Sequence, residues 1–392
     1  MEVRVARLIV YRVRMPLKIA FSHARASRAE ADNIVAEAMT DTGACGFGEG
    51  VPREYVTGET PESALEYLRS LDYSFLSAGW GSLGEAVSAL RSWETAEEGN
   101  GDVFPGAARC ALGLSLLDAV GKAWGCGAGE AAAGFPAPRR EGSRDRVRYS
   151  AVCSGGDLRA VALSCAKYRL YGFAAVKLKV GWGEERDVAL VRTARRVLGR
   201  GIDVRVDANG AWDFDAARRV IPRLAAFGVS SVEEPLAPRD RDGLPGLRGE
   251  VGVPIMLDES LRSRADLRRA AASGACDLVN IRLSKCGGLF ASLALAAEAR
   301  GAGIGFQMGC QVGESGILSA AGRQFAFLCP DARHLEGSYD RHLLGENLTA
   351  EDVTFGYGGR APRLPGPGLG VTVDRRVLDR YTVEKHEITD TE

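Results

Sequence analysis

Eight short β-rich runs recur along the C-terminal two-thirds of the chain, with a helical pattern in the gaps between them. They lie near residues 150, 177, 205, 232, 256, 281, 306 and 336 and read VRYSAVCS, AAVKLKV, DVRVDAN, SSVEEP, PIMLDES, DLVNIRLS, GIGFQMG and HLEGSY. In the gap at 187–198 the apolar positions Val188, Val191 and Leu198 keep helical spacing, and at 213–227 Ala217, Val220, Ile221 and Leu224 do the same. A glycine commonly closes the helix before the next run: Gly172, Gly228, Gly274, and Gly301 or Gly303. Parallel strands need a crossover long enough to hold a helix, so this alternation predicts an α/β fold of the (β/α) barrel type. The alternative is an open doubly wound sheet, but no Gly-x-Gly-x-x-Gly turn opens any of the helices, which counts against a dinucleotide-binding version of it.

The first 140 residues have a different texture. VRVARLIVYRVRMPL alternates like a strand, 33–39 (NIVAEAM) reads as a second strand, and 43–50 (GACGFGEG) as a turn running into a third. Helical patterns follow near 61–71 and 106–124, and in the latter Cys110, Leu114, Leu117 and Gly121 share one face. Strands followed by helices predict a separate α+β unit. Residues 127–146, rich in Gly, Ala, Pro and charge, read as a linker.

Composition narrows the partners. The 392 residues carry 50 Lys+Arg against 51 Asp+Glu, so no excess of positive charge is available to follow phosphates or an anionic membrane. With 46% hydrophobic residues the chain can build cores and is not expected to be disordered. The expected partner is a small molecule, with no nucleic acid and no membrane. Arg4, Arg7, Arg12 and Arg14 break up the N-terminal apolar run, and no stretch of 18 uncharged apolar residues exists, which predicts a cytoplasmic protein. Nine scattered cysteines without a Cys-x-x-Cys pair fit reduced thiols rather than a disulfide framework or a zinc site.

The chemistry collects at the C-terminal ends of the β-rich runs, where barrel active sites form. Asp207 ends the third run, Glu233 and Glu234 the fourth, Asp258 and Glu259 the fifth. Carboxylates converging at one barrel mouth repel unless a cation sits among them, and hard oxygen ligands of this kind suit Mg²⁺ or Mn²⁺. A lone strand-end acid more often caps the next helix, but three on consecutive strands favour a metal. On the second run Lys177 and Lys179 alternate onto one face. Two neighbouring ammonium groups lower each other's pKa, and a lysine tuned in this way can serve as a general base.

K-L-K, V-D-A-N, V-E-E-P, D-E-S and the late G-G, in this order, resemble the enolase superfamily, and more closely its muconate-lactonizing subgroup within the mandelate racemase/muconate lactonizing enzyme family. GFGEGVPREYVTGET resembles that family's capping strand and loop, and GPGLGVTVD at 366–374 its closing segment. The resemblance covers nearly the whole chain. It implies a modified (β/α)7β TIM-type barrel at 146–345, an N-terminal α+β capping domain at 1–140, and a C-terminal segment at 346–392 that returns to the cap. It implies Mg²⁺, with Mn²⁺ as a substitute, held by Asp207, Glu233 and Asp258. It assigns Lys179 as the acid/base residue and Lys177 as the lysine that tunes it and contacts the substrate carboxylate. The shared first step is removal of the proton α to a carboxylate, giving an enolate that the metal stabilises. Members of the family are often symmetric oligomers, so a homo-oligomer is expected.

The sequence departs from the family at several places. Where the subgroup carries a second catalytic lysine on the sixth strand, N-I-R-L-S-K-C-G-G places Arg282, and Lys285 lies three residues further on. A guanidinium stays protonated and does not take a proton, although it can grip a carboxylate or an enolate. That favours one-base chemistry through Lys179, a cycloisomerase or a one-base lyase. The alternative is a racemase or epimerase of N-acyl amino acids or dipeptides, with Lys285 or a relay as the second base. A third reading is a non-catalytic carboxylate-binding homologue. Glu234 stands where the subgroup often has Gln, and with Asn209 and Glu259 it is expected to orient the metal ligands from behind. Glu314 falls one place later than the usual acid, and His334-x-Glu336 replaces the Asp-x-Asp of the dipeptide epimerases. Substrate contacts are expected from the capping loops at 20–28 (His23, Arg25) and 51–60 (Tyr55), and from Glu314 and Glu336.

Overall fold

The computed structural model describes residues 2–23, 26–77, 79–96, 103–133, 145–154 and 157–388, without the side chains of 19–28 and 77. Arg25 lies outside the described residues, as does the side chain of His23.

The first layer is an antiparallel sheet of β1 (Val5–His23), β2 (Ala26–Thr40) and β3 (Cys45–Gly50). The last strand of the chain returns to this sheet, pairing antiparallel along β1 at the outer edge. β3 explains the GACGFGEG segment. Gly46, Gly48 and Gly50 alternate onto one face, and a Cβ at any of them would run into the backbone of the helix Gly106–Ala123. Three missing side chains therefore let this helix lie directly on the sheet. Its N-terminus is capped from a loop, Glu59 accepting from the Ala107 and Ala108 amides at 2.8 and 3.1 Å. Inside the helix Asp118 accepts from the Phe47 amide on one side and from the Leu369 amide of the C-terminal segment on the other, at 2.9 and 2.7 Å.

After β4 (Arg146–Arg148), the second layer is a parallel sheet of β5 (Ala151–Cys153), β6 (Ala175–Lys179), β7 (Asp203–Asp207), β8 (Val229–Glu233), β9 (Ile255–Leu257), β10 (Leu278–Ile281) and β11 (Gly305–Met308), in spatial sequence order. Helices such as Leu158–Leu170, Glu184–Leu198, Phe214–Ala225 and Leu289–Gly301 fill the crossovers. The eighth expected strand is reduced to one bridge. Leu335 pairs in parallel with Met308, and its carbonyl accepts from the Ser150 amide at 2.8 Å, so residues 334–336 close the ring between β11 and β5. The strand goes no further because Gly337 (φ 138°) and Ser338 (φ 54°) turn the chain away. The fold is a (β/α)7β barrel with an N-terminal α+β cap. β12 (Arg360–Pro362) pairs with β4, and β13 (Thr382–Ile388) is the strand that returns to β1. Among the described residues no helix is long and apolar enough to cross a membrane.

Two carboxylates of the capping layer reach across to seat barrel helices. Glu49 on β3 accepts from the Ser315 amide and hydroxyl and from the Leu318 amide, at the start of Gly316–Leu328. Glu94 accepts from the Phe290 and Ala291 amides at 2.7 and 3.2 Å, at the start of Leu289–Gly301. The two layers thus share helix caps as well as apolar surface.

Candidate active site

Strand register sets the site. Lys179 on β6 stands opposite Asp207 on β7, and Asp207 opposite Glu233 on β8, so these three side chains occupy one level of the barrel mouth. Asp258 follows β9 directly, and Arg282 follows β10 directly. All three carboxylates are fully buried.

Lys177 points inward and sits among acids: 3.2 Å from both Glu233 oxygens, 2.8 Å from Glu336 Oε2 and 3.5 Å from Asp207 Oδ2. Burial alone would lower its pKa, but Glu233, Glu336 and Asp207 raise it above the usual lysine range. The sequence reading of two lysines lowering one another therefore does not hold for Lys177, because carboxylates rather than an ammonium dominate its surroundings. Lys179 is more open. It donates to Asp207 Oδ2 at 2.5 Å and Asn209 Oδ1 at 2.8 Å, and it lines the cavity above the barrel.

Arg282 pairs with Asp258 Oδ2 and lies 3.8 Å from Glu233 Oε1. It lines the cavity, whereas Lys285 does not. β10 ends at Ile281 and the chain makes a helical turn over Leu283–Cys286, which swings Lys285 back toward the barrel. There it is 0% exposed and donates to Asp258 O, Asp258 Oδ1 and Asn280 O at 2.6, 2.9 and 2.9 Å. Burial works to raise the Asp258 carboxyl, but Arg282 and Lys285 outweigh it and hold the group well below its usual range. For Glu233 the balance reverses. Burial and the neighbouring Asp207 charge push it well above, and Asn280 and Gln307 donate to it at 3.0 and 3.3 Å.

A second tier braces this layer. Asn209 donates its backbone N–H to Asp207 Oδ1 at 2.9 Å and its amide to Glu259 Oε1 at 3.0 Å. Glu234 accepts from the Asp258 amide at 2.8 Å and from Arg241 at 3.0 Å, and also bonds the Ser260 hydroxyl. Asn209 and Glu234 both have positive φ, 47° and 38°, so the backbone is strained immediately behind two strand-end acids. Burial and the Asp258 charge push Glu259 up to about 7. Glu336 accepts from Lys177 at 2.8 Å and from Arg205, and it lines the cavity as well. Tyr55 and Glu314 line the cavity.

Arg205, Asn280 and Gln307 escaped the sequence reading, although each falls on the inward face of its strand. Arg205 is two residues before Asp207 and Asn280 two before Arg282, so the period-two rule that placed Lys177 would have placed them. Gln311 and Asp340 also line the cavity, but Gln311 sits in an irregular segment and Asp340 opens the four-residue helical turn Asp340–Leu343, which is too short to carry a periodic signal.

The donor set suits a hard divalent ion: three buried carboxylates, oxygen only, on consecutive strand ends. Glu233, pushed up by the neighbouring Asp207, shows repulsion that such an ion would relieve. Among the described residues no three His, Cys, Asp or Glu side chains converge as a ligand set, because Lys177, Arg282 and Lys285 lie between the acids. Holding an ion requires those cations to give way.

Comparison with known proteins places this geometry. Residues 160–377 match the family model described as enolase C-terminal domain-like. The chain is 28% identical to an N-succinyl-L-Arg/Lys racemase of Bacillus cereus, over 97% of this chain and 98% of that one. It is 31% identical to a hydrophobic dipeptide epimerase of Enterococcus faecalis, over 79% and 83%. A muconate cycloisomerase of Rhodococcus opacus matches at 33% but over only 53% of this chain and 55% of that one. The solved N-succinyl Arg/Lys racemase from Bacillus cereus superposes with TM-score 0.85 at 26% identity, covering 98% of this chain and all of that one. A dipeptide epimerase from Cytophaga hutchinsonii, solved with Mg and the dipeptide D-Ala-L-Val, has the same fold, with TM-score 0.83 at 22% identity over 98% and 100%.

Proposed function

Because the chain belongs to the enolase superfamily, whose members bind Mg²⁺, we propose that it is a Mg²⁺-dependent racemase or epimerase of amino-acid derivatives, N-acyl amino acids or dipeptides. The unit boundaries that go with this reading are 1–140 and 346–392 for the cap and 146–345 for the barrel. The whole-length likeness to racemases and epimerases supports the substrate class, against a likeness to a muconate cycloisomerase that spans about half the chain. One observation carries the chemistry: Lys179 stands between the carboxylate layer and the cavity, within reach of both.

In this reading Asp207, Glu233 and Asp258 would hold the ion, which when bound supplies positive charge to a developing enolate. Lys179 takes the α-proton. Asp207 and Asn209 fix its ammonium position, so the amine returns to one place each turnover. Lys177 would leave Glu233 and Asp207 to the ion and keep its bond to Glu336, staying charged to face the substrate carboxylate. Arg282 covers the opposite side. Burial works against its charge, but Asp258 keeps it protonated, so protonation from that face falls to solvent or a relay.

Arg282 also favours a second reading. With Lys179 as the base and Arg282 in place of a second one, chemistry that begins and ends on the same face, elimination or cycloisomerisation, needs no second base. One experiment separates the two. The Mg²⁺-loaded protein is incubated in D₂O with each enantiomer of a panel of N-acyl amino acids, dipeptides, sugar acids and muconates, and α-deuteration and configuration are followed by NMR. Exchange with inversion from both enantiomers establishes the racemase. Exchange of one enantiomer with retention, or loss of a leaving group, establishes the one-face reading. No exchange from any member overturns both in favour of a silent carboxylate-binding homologue.

A further inference from the structure

The cavity that Lys177 and Lys179 line also carries buried polar groups that the protein leaves partly unsatisfied. Gln311 is 3% exposed, lines the cavity, and has no hydrogen-bond partner at either Nε2 or Oε1. Glu314 lines the same cavity and accepts one bond, from the Gln311 backbone amide at 2.5 Å. Burial pushes its carboxyl up to about 8. Asp340 is 1% exposed. Its Oδ2 accepts from Asn347 at 2.7 Å, and the Ser319 hydroxyl is the group beside the carboxyl that works against the rise caused by burial. No Lys, Arg or His among the described residues forms an ion pair with either acid. Val56, Val152, Val312 and Leu343 give the same cavity apolar wall.

A buried polar atom without a partner costs free energy, and a buried carboxyl without a counter-charge costs more. Lys177, Lys179 and Arg282 line the cavity as cations, and Gln311, Glu314 and Asp340 line or border it with partly unsatisfied polar groups, Arg282 near enough to Glu314 to work against the rise caused by burial. The occupant that satisfies Gln311, Glu314 and Asp340 is a group with several N–H donors and a positive charge, carried on an aliphatic stem that can lie along apolar wall.

We propose that Gln311, Glu314 and Asp340 form a subsite for a cationic side group, an ammonium or guanidinium at the end of an aliphatic chain, on a substrate whose carboxylate lies toward Lys179. The inference rests on the reading of the substrate as an amino-acid derivative, and it names the side-chain class. Gln311 contributes Oε1 to the group's N–H donors, and the two acids contribute the charge.

The test titrates the Mg²⁺-loaded protein by calorimetry with N-acetyl-L-lysine and with N-acetyl-L-norleucine, which keeps the stem and lacks the ammonium. The lysine compound should bind at least about tenfold more tightly. Its heat should vary with the buffer's ionisation enthalpy near pH 7.5, because Glu314 releases a proton to receive the cation. Glu314→Gln and Asp340→Asn should each cut the preference several-fold while norleucine affinity stays put, and Gln311→Leu provides a third variant if one of these fails to fold. Equal or tighter binding of norleucine, a preference that survives the substitutions, or no binding of either compound overturns the subsite. The parent reading fails separately: a retained lysine preference with no α-exchange on either compound leaves the subsite standing and sinks the enzyme assignment. Exchange on norleucine without any lysine preference does the reverse.

Discussion

The two sides of the cavity are scaffolded alike and charged in opposite ways. On the β6–β10 side the charges are spent on one another: Lys177 with three acids, Lys179 with Asp207, Arg282 and Lys285 with Asp258. On the side built after β11, Glu314 and Asp340 form no ion pair with a cation among the described residues, and the Gln311 side-chain amide has no hydrogen-bond partner. Each side is followed by a helix that a capping-layer acid seats, Glu94 behind the first and Glu49 behind the second. The contrast teaches a division of labour. A wall that must hold a proton-transfer geometry is cross-linked internally, because a reacting group has to be fixed to fractions of an ångström. A wall that reads a ligand leaves its hydrogen-bonding capacity for the ligand.

The largest effect should come from the cross-linked wall. Lys179→Ala removes the base and is expected to lower α-proton exchange by about 10²–10⁴-fold. The fold should survive, because Lys177 still faces Asp207 at 3.5 Å. Exchange is followed by NMR in D₂O and folding by thermal melting. Exchange that persists near the wild-type rate breaks the assignment of the β6 side as the chemical wall.

Lys285→Met tests whether that wall is structural as well. Lys285 is wholly buried and makes three hydrogen bonds, two of them to Asp258. Removing one partner from a buried ion pair typically costs about 3–5 kcal/mol. Urea unfolding should show a loss of that order. A loss below about 1 kcal/mol, within the range of exposed pairs, would mean that Arg282 alone holds Asp258.

A smaller change is expected from Arg282→Lys, which puts a group able to release its proton on the side opposite Lys179. The ratio of exchange rates for the two enantiomers should move toward unity, by about tenfold for a general acid added in workable position. An unchanged ratio means that stereochemistry is not set at this residue.

These residues also show how far the sequence carried. The barrel was legible because parallel strands repeat their apolar texture at even spacing, and Asp207, Glu233 and Asp258 because each ends such a strand. Lys285 was harder. An i+3 residue on a strand points away, and only the strand's early end at Ile281 and the following helical turn bring it back to Asp258. Gln311 and Asp340 left no trace, because irregular backbone and a single four-residue helical turn have no period to read, and Asp340 reaches the cavity only because the chain turns at Gly337 and Ser338. Glu49 and Glu94 were silent for a related reason: each acts on a helix more than 190 residues away in sequence, as the separations of 266 and 196 show.

Those two acids give the finest comparison of the walls they support. Glu94 bonds both its amides through Oε2 and leaves Oε1 without a partner, and burial pushes it up to about 8. Glu49 accepts from Asn33, Ser315 and Leu318 through both oxygens. Glu94's folded pKa lies above its ordinary value of 4.5, so between those limits the folded state binds more protons than the unfolded one. Its contribution is therefore full below about pH 4.5 and declines as pH rises toward 8. Glu94→Gln keeps an oxygen for the Phe290 and Ala291 amides and removes the titration. Relative to the wild type it should gain stability between pH 5 and pH 8, on the order of a few kcal/mol at most. Burial raises Glu49 too, although its donors work against the rise; Glu49→Gln turns an NH₂ toward groups that donate, and that mismatch should cost about 1–3 kcal/mol where Glu94→Gln has none. Urea midpoints at the two pH values decide the matter. A Glu94→Gln offset that stays constant with pH would show that this helix is capped by an acid whose charge state does not change over that range.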